Sequence, residues 1–130
     1  MPLTVQVYTP GTDGAAWDAF VAHHPDRTPY HERAWGTVVT RAFGFTDRSL
    51  VVRDGDSIVG VLPLWETGRK LTNAPWRDRA APLAAGPDAL EALRRAVAGT
   101  GRPAILKDWP ADQVPPGFQG HPSWGTSVLD

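Results

Sequence analysis

The chain has 130 residues, the size of one domain, and 13 Lys and Arg against 14 Asp and Glu leave a formal charge of −1. It therefore has no net positive field with which to gather nucleic acid or anionic lipid. Cysteine is absent, which excludes disulfides, thiolate nucleophiles and cysteine-type zinc sites and fits a reducing compartment.

The first residues, MPLTVQVYTPG, lack the basic start and apolar run of a signal peptide. No apolar run elsewhere approaches the ~20 residues of a membrane helix. The expectation is a soluble, cytoplasmic chain with no membrane span and no DNA partner. Leu3, Val5 and Val7 alternate with Thr4, Gln6 and Tyr8, the period of a half-buried strand closed by Pro10 and Gly11. Thr12 or Asp13 then caps a helix whose stripe is Trp17, Phe20, Val21 and His24, ended by Pro25. In TPYHERAWGTVVTRAFGF, residues 28–45, Trp35, Val38, Val39 and Ala42 form an apolar helical stripe with Phe43 beside it, and Gly44 stops the helix.

RSLVVRDGDSIVGVLPLWE, residues 48–66, is a hairpin in which two β-branched runs flank Asp54-Gly55. Its second run is apolar from Ile58 to Trp65, as suits a central strand covered on both faces. Pro63 donates no ladder hydrogen bond, which implies a bulge or a place where the neighbouring strand diverges. RKLTNAPW suggests a further strand and RDRAAPLAAG a loop. Gly86-Pro87-Asp88 starts a helix with Leu90, Leu93, Ala96 and Val97 buried, and Gly99 ends it. RPAILKDW reads as a strand, PADQVPPGFQGHP as a stiff connector, and WGTSVLD as a last strand. The order predicts an α/β (α+β) fold with helices on both faces of a mixed sheet.

The blocks AAWDAFVAHHPDRTPYHERAWGTVVTRAFGF and LVVRDGDSIVGVLPLWE, with APLAAGPDALEALRRAV and PPGFQGHPSWGTSVLD later, resemble the first half of FemAB-like proteins, acyltransferases of the GNAT superfamily that include peptidoglycan ligases. The resemblance implies a GNAT-like, mostly antiparallel central sheet over residues 1–130. It also implies one half of a tandem architecture, completed by a second GNAT-like subunit or a homodimer. The implied activity is acceptor binding or scaffolding in aminoacyl or acyl transfer onto a small-molecule or peptide amine. Acyl-CoA or aminoacyl-tRNA would be the donor, and no cofactor is otherwise expected. The alternative is a non-catalytic GNAT-like binding or dimerisation module.

The resemblance turns the start of the second helix toward the acceptor cleft, making Tyr30, His31, Arg33 and Trp35 candidate substrate-binding residues. His31 has the chemistry of a base, and Arg33 that of a carboxylate or phosphate clamp. The same positions also suit plain helix-start chemistry: Tyr30 packing, Thr28 or His31 capping, Glu32 complementing the dipole and Arg33 in solvent. Gly36, Thr37, Val38 and Val39 follow the tryptophan, where some Fem ligases carry a basic residue. Arg77 and Arg79 are the candidate cofactor-binding residues, for the pyrophosphate of coenzyme A, although Ala80 and Pro82 stand where such a loop has glycine. Beside Trp76 they also suit a nucleotide or RNA end, and with Asp78 between them an ordinary salt-bridged loop. His23, His24, His31 and His121 lack ligand spacing with the carboxylates, so no metal is expected, and no catalytic residue is assigned.

Overall fold

The structure is a computed structural model that describes residues 2–73, 81–107, 118–121 and 126–129. Strand β1 (Thr4–Val7) leads into helix α1 (Pro10–His23). Pro10 opens this helix rather than closing the strand: its fixed φ suits the first helical position, and Thr9 takes the cap expected of Thr12 or Asp13. Asp13 instead folds back to accept the Thr9 N–H at 2.8 Å and to pair with Arg53. A 3-10 turn (Pro29–His31) precedes helix α2 (Arg33–Phe43), which ends on Gly44 at φ 69°, the left-handed cap that glycine adopts without strain.

The hairpin forms with its turn one residue later than expected. Asp54 pairs with Ser57, so Gly55 and Asp56 make the turn, Gly55 at φ 62°. Its arms bend between two sheets. The first arm divides into β2 (Thr46–Asp47) and β3 (Leu50–Asp54), the second into β4 (Ser57–Leu62) and β5 (Trp65–Thr67). The expected break at Pro63 is this divergence. Leu64, next to the proline, donates to the Ser49 hydroxyl at 3.1 Å, a side-chain bond that stands in for the missing rung.

The remaining elements are β6 (Lys70–Thr72), β7 (Leu83–Ala84), α3 (Pro87–Gly99), β8 (Ala104–Lys107), β9 (Phe118–His121) and β10 (Thr126–Leu129). β7 falls in the stretch read as loop, and β9 at the end of the supposed connector, where Phe118–His121 pairs antiparallel with β10. The sheets run β1-β3-β4-β7 and β2-β5-β6-β8-β10-β9. The fold is thus the mixed, mostly antiparallel α/β arrangement expected, divided into two sheets rather than one. Among the described strands only β6 and β8 pair parallel, on either side of the α3 crossover.

Strand alternation sends β3 to both sides. Leu50 and Val52 join Leu62, Leu93, Val97 and Leu106 in a core beneath α3. Val51 joins Val61, Leu83, Trp17 and Val21 beneath α1. Helices therefore cover both faces, each buried Leu or Val contributing roughly 1.5–3 kcal/mol of transfer free energy. On β4, Val52 faces Gly60 but Arg53 faces Ile58, so Val59 is an inserted bulge residue that turns Ile58 to the same face as Val61.

Helix α2 packs differently from its sequence reading. Of the stripe Trp35, Val38, Val39 and Ala42, only Val39 is buried, and Val38 and Phe43 are 47% and 43% exposed. Val39 is the residue packed inward, while Arg33, Gly36, Thr37, Thr40 and Arg41, at offsets of three, four, seven and eight from Arg33, lie on a side of the helix that borders a cavity, all but Gly36 still exposed.

Candidate functional site

That cavity has a volume of about 330 Å³. The cavity-bordering side of α2 forms one wall. Tyr8 and Pro10, from the β1–α1 junction, and Trp17 form another, and Tyr30, His31 and Glu32 close the end nearest the 3-10 turn. Asp47, Ser49, Pro63 and Trp65 make the floor, where the hairpin passes from one sheet to the other. Divergence of the strands at Pro63 opens the space, and the aromatic side chains give it apolar walls.

Gly36 sets the approach of helix to floor. A methyl group there would lie 3.3 Å from Cη2 of Trp65, itself 3% exposed, so the indole fits under α2 because this position has no side chain. Tyr8 and Trp17 have ring centroids 4.9 Å apart, and Tyr30 meets Trp35 edge to face at 5.2 Å. Trp35 braces Tyr30 from outside the cavity lining, whereas Tyr30, His31 and Arg33 all line it.

His31 is 1% exposed. Its Nε2 lies 2.7 Å from the Ala81 oxygen, which only accepts, so Nε2 carries the proton. Nδ1 is then the acceptor for the Thr28 N–H and hydroxyl, each at 2.9 Å. Burial lowers the pKa below the usual value, against the pull of the Ala81 carbonyl. A second proton would face the Thr28 N–H, donor against donor. With both nitrogens engaged, His31 fastens the 3-10 turn to the chain at Ala81, the capping role the sequence allowed.

Arg33 donates from Nε and Nη2 to the two carboxylate oxygens of Asp18, at 2.9 and 2.5 Å, and its guanidinium stands near Tyr8. The Asp18 contact raises its pKa above the ordinary arginine value. Tyr8 is shifted up, burial outweighing the guanidinium beside it. Three other charged groups of the wall are differently placed. Among the described residues, the side chains of Glu32 and Arg41 form no ion pair or hydrogen bond, and Asp47 uses Oδ1 to accept the Ser49 N–H at 2.8 Å. Arg41 and Asp47 were not singled out in the sequence. For Arg41 the signal was the small and polar residues at helical spacing from Arg33, a pattern that ordinarily marks a solvated face, and Asp47, in β2, had none. Arg77 and Arg79, with Trp76, lie outside the described residues.

One register row links this cavity to the parallel strands. Asp47 pairs with Trp65, Trp65 with Thr72, and Thr72 with Ile105. Among the described residues this is the last pair of the β6–β8 ladder. Compared with protein-family models, with curated proteins and with solved structures, the chain finds no match in any of the three.

Proposed function

We propose that this chain is an acyltransferase-type domain of the GNAT kind, related to FemAB-like proteins, and that its cavity holds the amine acceptor. The observation that carries the reading is the register row from Asp47 through Trp65 and Thr72 to Ile105. It sets the cavity floor level with the last described pair of the two parallel strands, about two strand spacings, or ~10 Å, away. In a GNAT-like sheet, backbone N–H groups where two parallel strands splay would stabilise negative charge on an acyl oxygen, and this end of the β6–β8 pair is where such a splay would fall. An acceptor amine in the cavity would attack the carbonyl of an acyl-CoA or aminoacyl-tRNA, forming a C–N bond as the C–S or C–O bond breaks. The ammonium form must first lose a proton, and Glu32 and Asp47 are the wall carboxylates that would attract it. The test is to incubate the protein with acyl-CoA and aminoacyl-tRNA donors and simple primary amines, and to read acylated product by mass. Donor-dependent product that falls in Glu32→Gln supports the reading; amine binding with no product from either donor overturns it.

The second reading, a non-catalytic binding or dimerisation module, draws on the outward face of α2. There Val38 and Phe43 are large apolar side chains left exposed. Sedimentation of the full chain separates it: a dimer lost in Val38→Glu favours the module, and a concentration-independent monomer removes it.

A further inference from the structure

Among the described residues Glu32 and Arg41, at opposite ends of α2, are the wall charges with no ion pair or hydrogen bond; Asp47 on the floor is partly engaged, its Oδ1 accepting the Ser49 N–H. Glu32 stands at the N-cap of α2 and Arg41 in its last turn. Nine residues of helix place their Cα atoms about 13 Å apart along the axis. The Arg41 side chain leans back toward the preceding turn, which narrows but does not close this gap. Between them lie Gly36, Thr37 and Thr40 on the helix and the Trp65 indole on the floor. Arg33, the other cation of the wall, has two donors taken by Asp18.

We infer that the cavity binds an elongated zwitterion, a primary amine and a carboxylate at opposite ends of an apolar linker several bonds long, with the ammonium at Glu32 and the carboxylate at Arg41. The inference deepens the acceptor reading and rests on it only for the use to which the amine is put. Size points the same way. At about 330 Å³ the cavity is at the small end of ligand sites, enough for an ω-amino acid or a dipeptide. An α-amino acid is the wrong shape, because adjacent charges cannot reach both ends at once and one charged wall group would stay unpaired against the ligand body.

Isothermal calorimetry of the full chain, with no acyl donor present, tests this with four probes: 6-aminohexanoate, its isomer 2-aminohexanoate, hexylamine and hexanoate. The expected order places 6-aminohexanoate about tenfold or more ahead of each of the others, the scale of one lost charged contact. In Arg41→Gln the advantage of 6-aminohexanoate over hexylamine should collapse toward one, and in Glu32→Gln its advantage over hexanoate should do the same. Helical circular dichroism on both variants confirms that they are folded. Equal affinities for the two aminohexanoate isomers, or an advantage that survives both substitutions, would overturn the inference. The two readings fail separately. Binding in this order without acyl transfer leaves the ligand class standing and removes the transferase; acylation of hexylamine as fast as 6-aminohexanoate does the reverse.

Discussion

The indole nitrogen of Trp17 donates to the main-chain oxygen of His31 at 2.8 Å, and both residues are almost fully buried. This bond joins α1 to the turn that starts α2, so the walls contributed by the two helices keep their spacing through it. Replacing Trp17 with Phe keeps an aromatic ring against Tyr8 but leaves the His31 oxygen without its donor. A buried acceptor so orphaned costs about 1–3 kcal/mol. Urea denaturation should show that loss with an unchanged slope, since the variant remains folded. A loss below a few tenths would mean that the oxygen finds another donor and that the two helices are not held here.

His31 should give the protein a stability that depends on pH near neutrality. Burial lowers its folded-state pKa, so the native state prefers the neutral ring while the unfolded chain takes up a proton below about 6.5. Stability is therefore fully present above that pH and is lost as pH falls below it. Glu66, whose carboxyl is lowered by Arg102 and Arg48, and Glu91, lowered to about 2 by Arg94 and Arg95, act in a lower window. Their contribution is present above about 4.5 and lost below. Denaturation midpoints between about pH 5 and 7 should thus decline toward acid in the wild type and flatten in His31→Gln, which is less stable throughout. Parallel profiles for the two proteins would show that His31 is not the titrating group.

Asp13 and Arg53 tie α1 to the hairpin. The carboxylate is 1% exposed and accepts from both the Thr9 N–H and the guanidinium, which also donates to the Asp56 oxygen at 3.0 Å. Asp13→Ala removes one partner and leaves a largely buried cation and an uncapped N–H, at a cost on the order of 3 kcal/mol. Asp13→Leu combined with Arg53→Met removes both charges and should cost distinctly less than the alanine variant. Thermal unfolding of the two checks this, and equal losses would place the effect in the helix cap rather than the ion pair.

Much of the fold was legible because its local signals agree with its tertiary demands. The glycine turn, Pro87 at the start of α3, and Pro63 where the strands part each act within a few residues, whereas the alternation in β1 holds for Leu3 and Val5 but not for Val7, which is 51% exposed. The misreadings occur where a distant partner decides. β7 is two residues long and is defined by its pairing with Gly60 and Val61, while Phe118–His121 becomes a strand through β10. In the site, Tyr30, His31 and Arg33 were visible as a polar cluster, but their partners, Asp18, Ala81 and Trp17, are brought there by the fold. Arg33, Thr37, Thr40 and Arg41 are the solvated residues their helical spacing suggests; that they border a cavity is not legible locally, because the Trp65 and Pro63 floor comes from the hairpin.

Gly14 provides a sharp test of how Arg33 is held. A side chain at Gly14 on α1 would run into the Arg33 guanidinium, which lies across this position to reach Asp18. Alanine in a helix interior is worth up to about 1 kcal/mol over glycine. The Arg33–Asp18 pair, with side chains 45% and 50% exposed, contributes at most about as much, given its exposure to water. Gly14→Ala alone should therefore leave stability nearly unchanged, the helical gain offset by displacement of the guanidinium. In an Arg33→Ala background the obstruction is gone, and the same substitution should stabilise by about 1 kcal/mol. The difference between the two backgrounds, measured by chemical denaturation of the four proteins in the cycle, is the coupling. A coupling near zero would mean that Arg33 leaves Gly14 without cost, and that its place on the cavity wall is not set by the contact with α1.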